Sequence, residues 1–390
     1  MKKSGSYVSK TIRELPFSGI RRFFDLASEV KDIISLGVGE PDFFSPAKIR
    51  ESAIYYLQNF KTLYSSNQGM TPLREEICAY VKRRFDLEYD QATQVLVTVG
   101  SSEAIDLALR AIVNPGEEVL VVEPCFVPYK PCVTMAGGVP VTITTKNENN
   151  FKVTPEELLE NITEKTKAII ISFPGNPTGA IMEKEDIEKI APILIEKDII
   201  IITDEVYAEL TYGGKKHYSM AQAPGLYDRT IFINGFSKSY AMTGWRLGYA
   251  AGPPEIISAM LKIHQYIVMC APSIAQYAGI EALRSCDADV AEMREEYDMR
   301  RKFMLKGFRE IGLSCFEALG AFYLFPSIQS SGMTSEEFCQ KLLAEEKVAL
   351  VPGSAFGDCG EGFVRCSYAC SMENLETALE RIEIFLKNIK

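Results

Sequence analysis

The strongest constraint on this chain is a series of short apolar runs rich in Val and Ile. They are "QVLVTV" from Gln94, "EEVLVV" from Glu117, "PVTITT" from Pro140, "KAIIISF" from Lys167, "DIIIIT" from Asp198, "TIFIN" from Thr230 and "GYAAG" from Gly248. Each has the length of a strand, and segments of helical spacing, such as "SEAIDLALRAIV" after the first run, lie between them. Strands that are apolar throughout are buried on both faces, and parallel neighbours need a crossover connection between them. The pattern predicts an α/β fold around a mostly parallel sheet sandwiched by helices. At 390 residues the chain exceeds one small core, so two domains are expected.

The runs fall within a large domain, residues 49–284. The charged block "DADVAEMREEYDMRRKFMLKGF" has helical spacing, which predicts a long helix over 285–311 leading out of that domain. Beyond it, "AFYLFP", "ALVPG" and "FVRCSY" alternate with helical segments, so 285–390 reads as a smaller α+β domain. Residues 1–48 have no evident core of their own. They are expected to pack on the second domain, which would then be formed by both chain ends.

Charge and composition exclude some roles. A formal net charge of -10 argues against nucleic acid or an anionic membrane as partner, since both require basic surface. It leaves room for a small anion, because a few local arginines outweigh a global excess. No apolar run approaches the roughly 20 residues of a spanning helix. The stretch "MKKSGSYVSKTIRELPFSG" has lysines but no apolar segment after them, so the expected location is cytoplasmic. Ten cysteines without a CxxC pair, and only His217 and His264 beside them, predict reduced thiols and no metal site.

Chemistry is expected at the ends of the apolar runs. In "NGFSKSYAMTGWRLG", Lys238 follows a buried strand among small polar residues, Ser237 included. A lysine so placed is partly desolvated, and a lowered pKa would make it an amine nucleophile. Alone it reads as a surface lysine. Arg246, eight residues on, adds a forked donor suited to a phosphate dianion. Asp204 ends "DIIIIT" as a carboxylate at a buried strand end, in need of a cation or donors; a pyridinium nitrogen or a loop cap would both serve. Tyr207 follows it by three and could donate to a phenolate oxygen. Asn176 lies in "SFPGNPTGA", where a plain turn explains the composition as well as a ligand does.

Gly100, Ser101 and Ser102 stand between a strand and a helix. Free amides there favour phosphate, and Ser101 is also a good N-cap. Phe126 is either core or a stacking face for a flat ring. Arg365, within the apolar run "FVRCSY", calls for an anion: a substrate carboxylate or an internal salt bridge. No G-x-G-x-x-G or Walker A pattern is present to suggest a dinucleotide or nucleoside triphosphate.

Taken in order, "GVGEPDF", "YSSNQGMTPLREEI", "GSSEAI", "NPTGA", "DEVYAEL", "SKSYAMTGWRLGY", "GAFYLF" and "VRCSYA" resemble the class I/II aminotransferases, pyridoxal-phosphate enzymes of fold type I. The resemblance spans nearly the whole chain. It is greatest to the bacterial branch with aspartate, alanine, aromatic and acetyl-diaminopimelate aminotransferases. It implies a seven-stranded large domain, pyridoxal 5′-phosphate as cofactor, amino acid and 2-oxo acid substrates, and a homodimer. It further implies that Lys238 forms a Schiff base with the cofactor and moves the proton, and that Asp204 pairs with the pyridine nitrogen. Tyr207 and Asn176 would hold the ring oxygen, and Phe126 would stack on the ring. Arg246, Ser237, Ser101 and Ser102 would grip the phosphate, joined by Tyr64 of a neighbouring subunit. Arg365 and the backbone of Gly39 would bind the substrate carboxylate, with Ile20 and Tyr323 near its side chain.

Ser102 departs from a "GGKQA"-like loop found in some aspartate enzymes, which puts aspartate specificity in question. Lys10, Arg21 and Arg22 are other cations available to an acidic side chain. The same scaffold also supports C–S β-lyases, and a non-catalytic regulatory protein is a more distant reading, since Lys238 is intact and no helix-turn-helix segment is seen.

Overall fold

The computed structural model describes residues 7–17, 19 and 32–389. All seven apolar runs are strands of one sheet: β2 (Val95–Thr98), β3 (Glu118–Glu123), β4 (Val139–Thr144), β5 (Thr166–Ile171), β6 (Ile200–Asp204), β7 (Thr230–Gly235) and β8 (Gly248–Ala251). Their order is β2-β8-β7-β6-β5-β3-β4. β2 and β7 are buried at every position, as a strand covered on both faces must be. β4 lies at the edge, and its Thr-rich sequence is only partly covered.

One strand runs against the rest. β8 pairs antiparallel with both β7 and β2, whereas the other pairings are parallel. The reason is the connection. Parallel neighbours are joined by crossovers, but residues 236–247 form no α-helix, and the chain doubles back beside β7. That returning loop carries both Lys238 and Arg246.

Helices cover both faces. The helix Gly100–Ile112 buries Ala104, Ile105, Leu107, Ala108 and Leu109 against Val119, Val121, Ile202 and Ile231. The helix Lys184–Glu196 places Ile187, Ile190, Ala191 and Leu194 on the opposite face with Ile169, Ile171 and Ile201. Each fully buried Ile or Leu contributes on the order of 1.5–3 kcal/mol.

The predicted long helix is present as Asp287–Glu310. Beyond it lie β9 (Tyr323–Leu324), β10 (Val348–Ala349), β11 (Val351–Pro352) and β12 (Val364–Ser367), of which β11, β12 and β9 form an antiparallel sheet. β1 (Ile34–Ser35) pairs in parallel with β10. Leu36 N–H donates to Ala349 O at 2.9 Å, and Ser367 N–H donates to Leu36 O at 2.7 Å. These bonds hold residues 37–40 beside β12. Leu36 also shares an apolar core with Tyr297, Phe322, Tyr368 and the helix Met372–Asn388.

Candidate active site

The parallel strands end on one side of the sheet, where an open α/β sheet offers a crevice. A cavity of about 610 Å³ lies there, beneath the strands β9 and β12. It is lined by Gly39, Ser101, Ser102, Phe126, Asn176, Asp204, Tyr207, Ser237, Lys238, Arg246 and Arg365, and also by Glu40, Tyr129, Ser172 and Tyr323. Residues from eight separate stretches of sequence thus meet in one space.

Lys238 projects from the returning loop after β7. Its Nζ donates to Gly39 O at 2.5 Å. Burial pushes its pKa down to about 8; the Glu40 carboxylate opposes that fall, and Arg365 and Arg246 add to it. The amine is therefore neutral in a usable fraction near pH 7.

Asp204 stands at the end of β6 and is buried. One carboxylate oxygen accepts from Tyr129 Oη at 2.8 Å and the other from Val206 N–H at 3.3 Å. Among the described residues it forms no ion pair, and desolvation raises its pKa to about 6 despite these donors. A carboxylate in this state is stabilised by a cationic N–H entering the cavity. Glu205, next in sequence, points away from it, toward Thr203, His217 and Ser219. Sequence reading missed Tyr129, although a signal existed: it follows Phe126 by three residues at the start of the helix Tyr129–Met135, and the two rings meet edge to face at 5.8 Å.

Arg365 is buried on β12. It donates from Nη1 to Asn176 Oδ1 at 2.8 Å and from Nη2 to Gly37 O at 2.5 Å. Its Nε is buried without a partner among the described residues. The guanidinium lies between two aromatic rings, 4.6 Å from the Tyr323 centroid and 4.8 Å from that of Phe356. It forms no salt bridge among the described residues, so N–H groups remain for an incoming carboxylate. Because an arginine can only donate, the Asn176 carbonyl must face it, which leaves the Asn176 amide N–H₂ for another acceptor. The hydroxyls of Tyr207 and Tyr323 lie 2.9 Å apart.

The opposite end collects anion donors. The helix Gly100–Ile112 begins at Gly100, with Val99 as its cap and no side-chain capping bond. The expected Ser101 N-cap is thus corrected. Glu103 instead accepts the Val99 N–H at 2.5 Å, and Ser101 and Ser102 fall in the first turn, whose amides have no intrahelical acceptor. Gly100 has φ +76°, and a Cβ there would stand 2.7 Å from Arg246 Nη2. The positive φ calls for glycine here, and the missing side chain leaves room for the end of Arg246. Arg246 is exposed, donates from Nη1 to Thr243 O at 3.0 Å, and has further N–H groups in the same place. Trp245 serves the scaffold, donating to Ser45 Oγ at 3.0 Å.

The donor set fits pyridoxal 5′-phosphate. An amine and a buried carboxylate lacking a cation stand between a phosphate-type cradle and a carboxylate-type arginine. One expected residue is elsewhere. Tyr64 is 83% exposed and does not line the cavity of its own chain. Ile20 lies outside the described residues, as do Arg21 and Arg22, while Lys10 is on an exposed helix, Lys10–Glu14. No group of His, Cys, Asp and Glu that could hold a metal occurs among the described residues.

Residues 31–382 match the sequence model of the family described as aminotransferase class I and II. The chain is 48% identical to an aspartate aminotransferase of Pyrococcus abyssi, covering 96% of each chain. It is 45% identical to an aromatic-amino-acid aminotransferase of Thermococcus litoralis, again over 96% of each. The solved aromatic aminotransferase of Pyrococcus horikoshii superposes with a TM-score of 0.91 at 46% identity, over 95% of this chain and 99% of that one.

Proposed function

This chain belongs to the class I and II aminotransferases, and we propose that it moves an amino group from an L-amino acid to a 2-oxo acid with pyridoxal 5′-phosphate held in the cavity described above. Enzymes of this family generally use that cofactor. The observation that carries the reading is the convergence of Lys238, Asp204, Tyr207, Asn176, Arg246 and Arg365 on one 610 Å³ cavity. Relatives of nearly equal identity act on aspartate and on aromatic amino acids, so family membership leaves the substrate side chain open.

When bound, pyridoxal phosphate supplies an electron sink for the charge that develops at the substrate Cα. The protein supplies the rest. Lys238 would hold the cofactor through Nζ and would take and return the substrate Cα proton, a task its depressed pKa suits. Asp204, oriented by Tyr129, would keep a proton on the ring nitrogen. Tyr207 and the Asn176 amide would donate to the ring oxygen, and Phe126 would offer an aromatic face to the ring. Arg246, Ser237 and the first-turn amides at Ser101 and Ser102 would hold the phosphate. Arg365 would receive the substrate carboxylate with Gly39 beside it and so orient the substrate. Because one site serves donor and acceptor in turn, the order is ping-pong.

The functional unit is a homodimer. Phe60, Leu63, Tyr64 and Tyr266 are exposed. The bonds Asn67 Nδ2 to Met269 O at 2.8 Å and Ser273 Oγ to Lys61 O at 3.4 Å join the two segments that carry them. Such an apolar surface suits a second copy, which would bring its Tyr64 to the phosphate. The ten free cysteines suit a reducing compartment, the cytoplasm. No helix among the described residues is long and apolar enough to cross a membrane.

The test is a screen of purified holoenzyme with single amino acids and no acceptor, followed by visible absorbance. A subset of amino acids should convert the cofactor to its amino form, and a 2-oxo acid should restore it. Release of pyruvate and ammonia from a thioether amino acid, with no such conversion by any amino acid, would overturn the reading.

A further inference from the structure

Tyr323 is completely buried on β9 and paired through Ser367 with β12, the strand that carries Arg365. Its ring lies under the Arg365 guanidinium, and its hydroxyl is 2.9 Å from that of Tyr207. A Cβ on Gly39 would stand 2.8 Å from the same hydroxyl, so the 37–40 segment closes over it. Two phenols that share one hydrogen bond divide the roles: one donates and the other accepts. If Tyr207 donated to Tyr323, it would have no proton to direct into the cavity. The neighbouring guanidinium cannot accept the Tyr323 proton, which leaves Tyr207 as its acceptor.

We propose that Tyr323 is a positioning residue that donates its hydroxyl proton to Tyr207 and thereby commits the Tyr207 proton to the ring oxygen of the cofactor. The inference rests on the reading of Tyr207 given above. Burial raises the pKa of both phenols, so both remain protonated at working pH. A donor that itself accepts a hydrogen bond is polarised and donates more strongly. Tyr323 thus acts on the cofactor without touching it, and its ring separately braces the arginine that receives substrate.

The readout is the pH midpoint of the absorbance change of bound cofactor in the holoenzyme, measured for wild type, Tyr207→Phe, Tyr323→Phe and the double variant. A hydrogen bond donated to the ring oxygen favours its anionic form, so losing the bond raises the midpoint. Tyr207→Phe should raise it most. Tyr323→Phe should raise it by a smaller amount, about threefold in the ionisation constant or more. It should leave the affinity for butyrate, a non-reacting carboxylate, within about twofold, because phenylalanine keeps the ring under Arg365. In the Tyr207→Phe background the second substitution should add nothing. An unmoved midpoint in Tyr323→Phe beside a raised one in Tyr207→Phe would sink the relay and leave the Tyr207 reading standing. Equal shifts in both backgrounds would mean that Tyr323 acts by another route, which also overturns the relay. If neither single variant moves the midpoint, the Tyr207 reading fails and the relay falls with it.

Discussion

Lys238 can be tested without any cofactor, because its reactivity depends on its own protonation. An unburied lysine at its ordinary value of 10.5 would be about 0.03% neutral at pH 7. With the pKa lowered to about 8, the neutral fraction is about 9%, roughly 300-fold more. A weaker base is also a weaker nucleophile, so the gain in rate falls below that figure without vanishing. Trace acetylation of cofactor-free enzyme, resolved by mass spectrometry of peptides across a pH series, reads each lysine separately. Labelling of Lys238 should level off above about pH 8 to 9. Glu40→Gln removes the largest contribution that raises the Lys238 pKa, so the plateau should move to lower pH. Labelling of Lys238 that keeps climbing through pH 10 would refute the desolvation argument. An upward move in Glu40→Gln would refute the role given to that carboxylate.

Asp204→Asn should slow the half-reaction by about 10²-fold or more in single-turnover absorbance, since a preorganised charge is lost. The same substitution should raise the thermal midpoint of cofactor-free enzyme at pH 8. The Asp204 pKa is raised by burial, so its ionised form costs the folded state up to about 3 kcal/mol once pH exceeds about 6, and the penalty fades as pH falls toward 3.8. No gain in that midpoint at pH 8 would mean that solvent or relaxation already relieves the carboxylate. Arg365→Leu should lower kcat/KM about 10²-fold for every amino acid tried, chiefly through KM; an unchanged KM would assign carboxylate binding to another residue. His264 is completely buried, and its Nδ1 lies 2.8 Å from the Glu103 carboxylate that caps Val99. His264→Ala should therefore cost about 2–4 kcal/mol in denaturant unfolding, and a loss under 1 kcal/mol would show that the pair does not support this turn.

The large sheet was legible because burial on both faces leaves a continuous apolar run, a signal confined to a few adjacent residues. The orientation of β8 was not, since it depends on whether residues 236–247 form a crossover or a return, and "FSKSYAMTGWRL" reads the same either way. The cavity follows the same division. Lys238, Asp204 and Arg365 stood out because a charge at the end of a strand, or inside one, violates a local rule that only a partner can satisfy. Their companions violate nothing. Tyr129 is an ordinary core aromatic in sequence, Tyr323 is singled out only by the family resemblance and not by any local signal, and the Gly37 carbonyl has no side-chain signature at all. What identifies them is a hydrogen bond that joins positions 75, 116 and 328 residues apart. Tyr64 is a different case: within one chain it is an exposed aromatic, and the role proposed for it depends on a second copy.

The distribution of charge in the cavity explains why a chain of net charge -10 belongs to a family that handles anions. Lys238, Arg246 and Arg365 line one space, and the two arginines each lower the Lys238 pKa. Asp204, also in that space, is left desolvated and without an ion pair among the described residues. Neither imbalance is useful to an isolated fold, and each corresponds to a part of the proposed ligands. A phosphate would offset Arg246, a carboxylate would offset Arg365, and a protonated ring nitrogen would offset Asp204. What the fold leaves uncompensated is then the complement of cofactor and substrate together. The bound state should accordingly be more stable than the cofactor-free one by more than contact area alone would give.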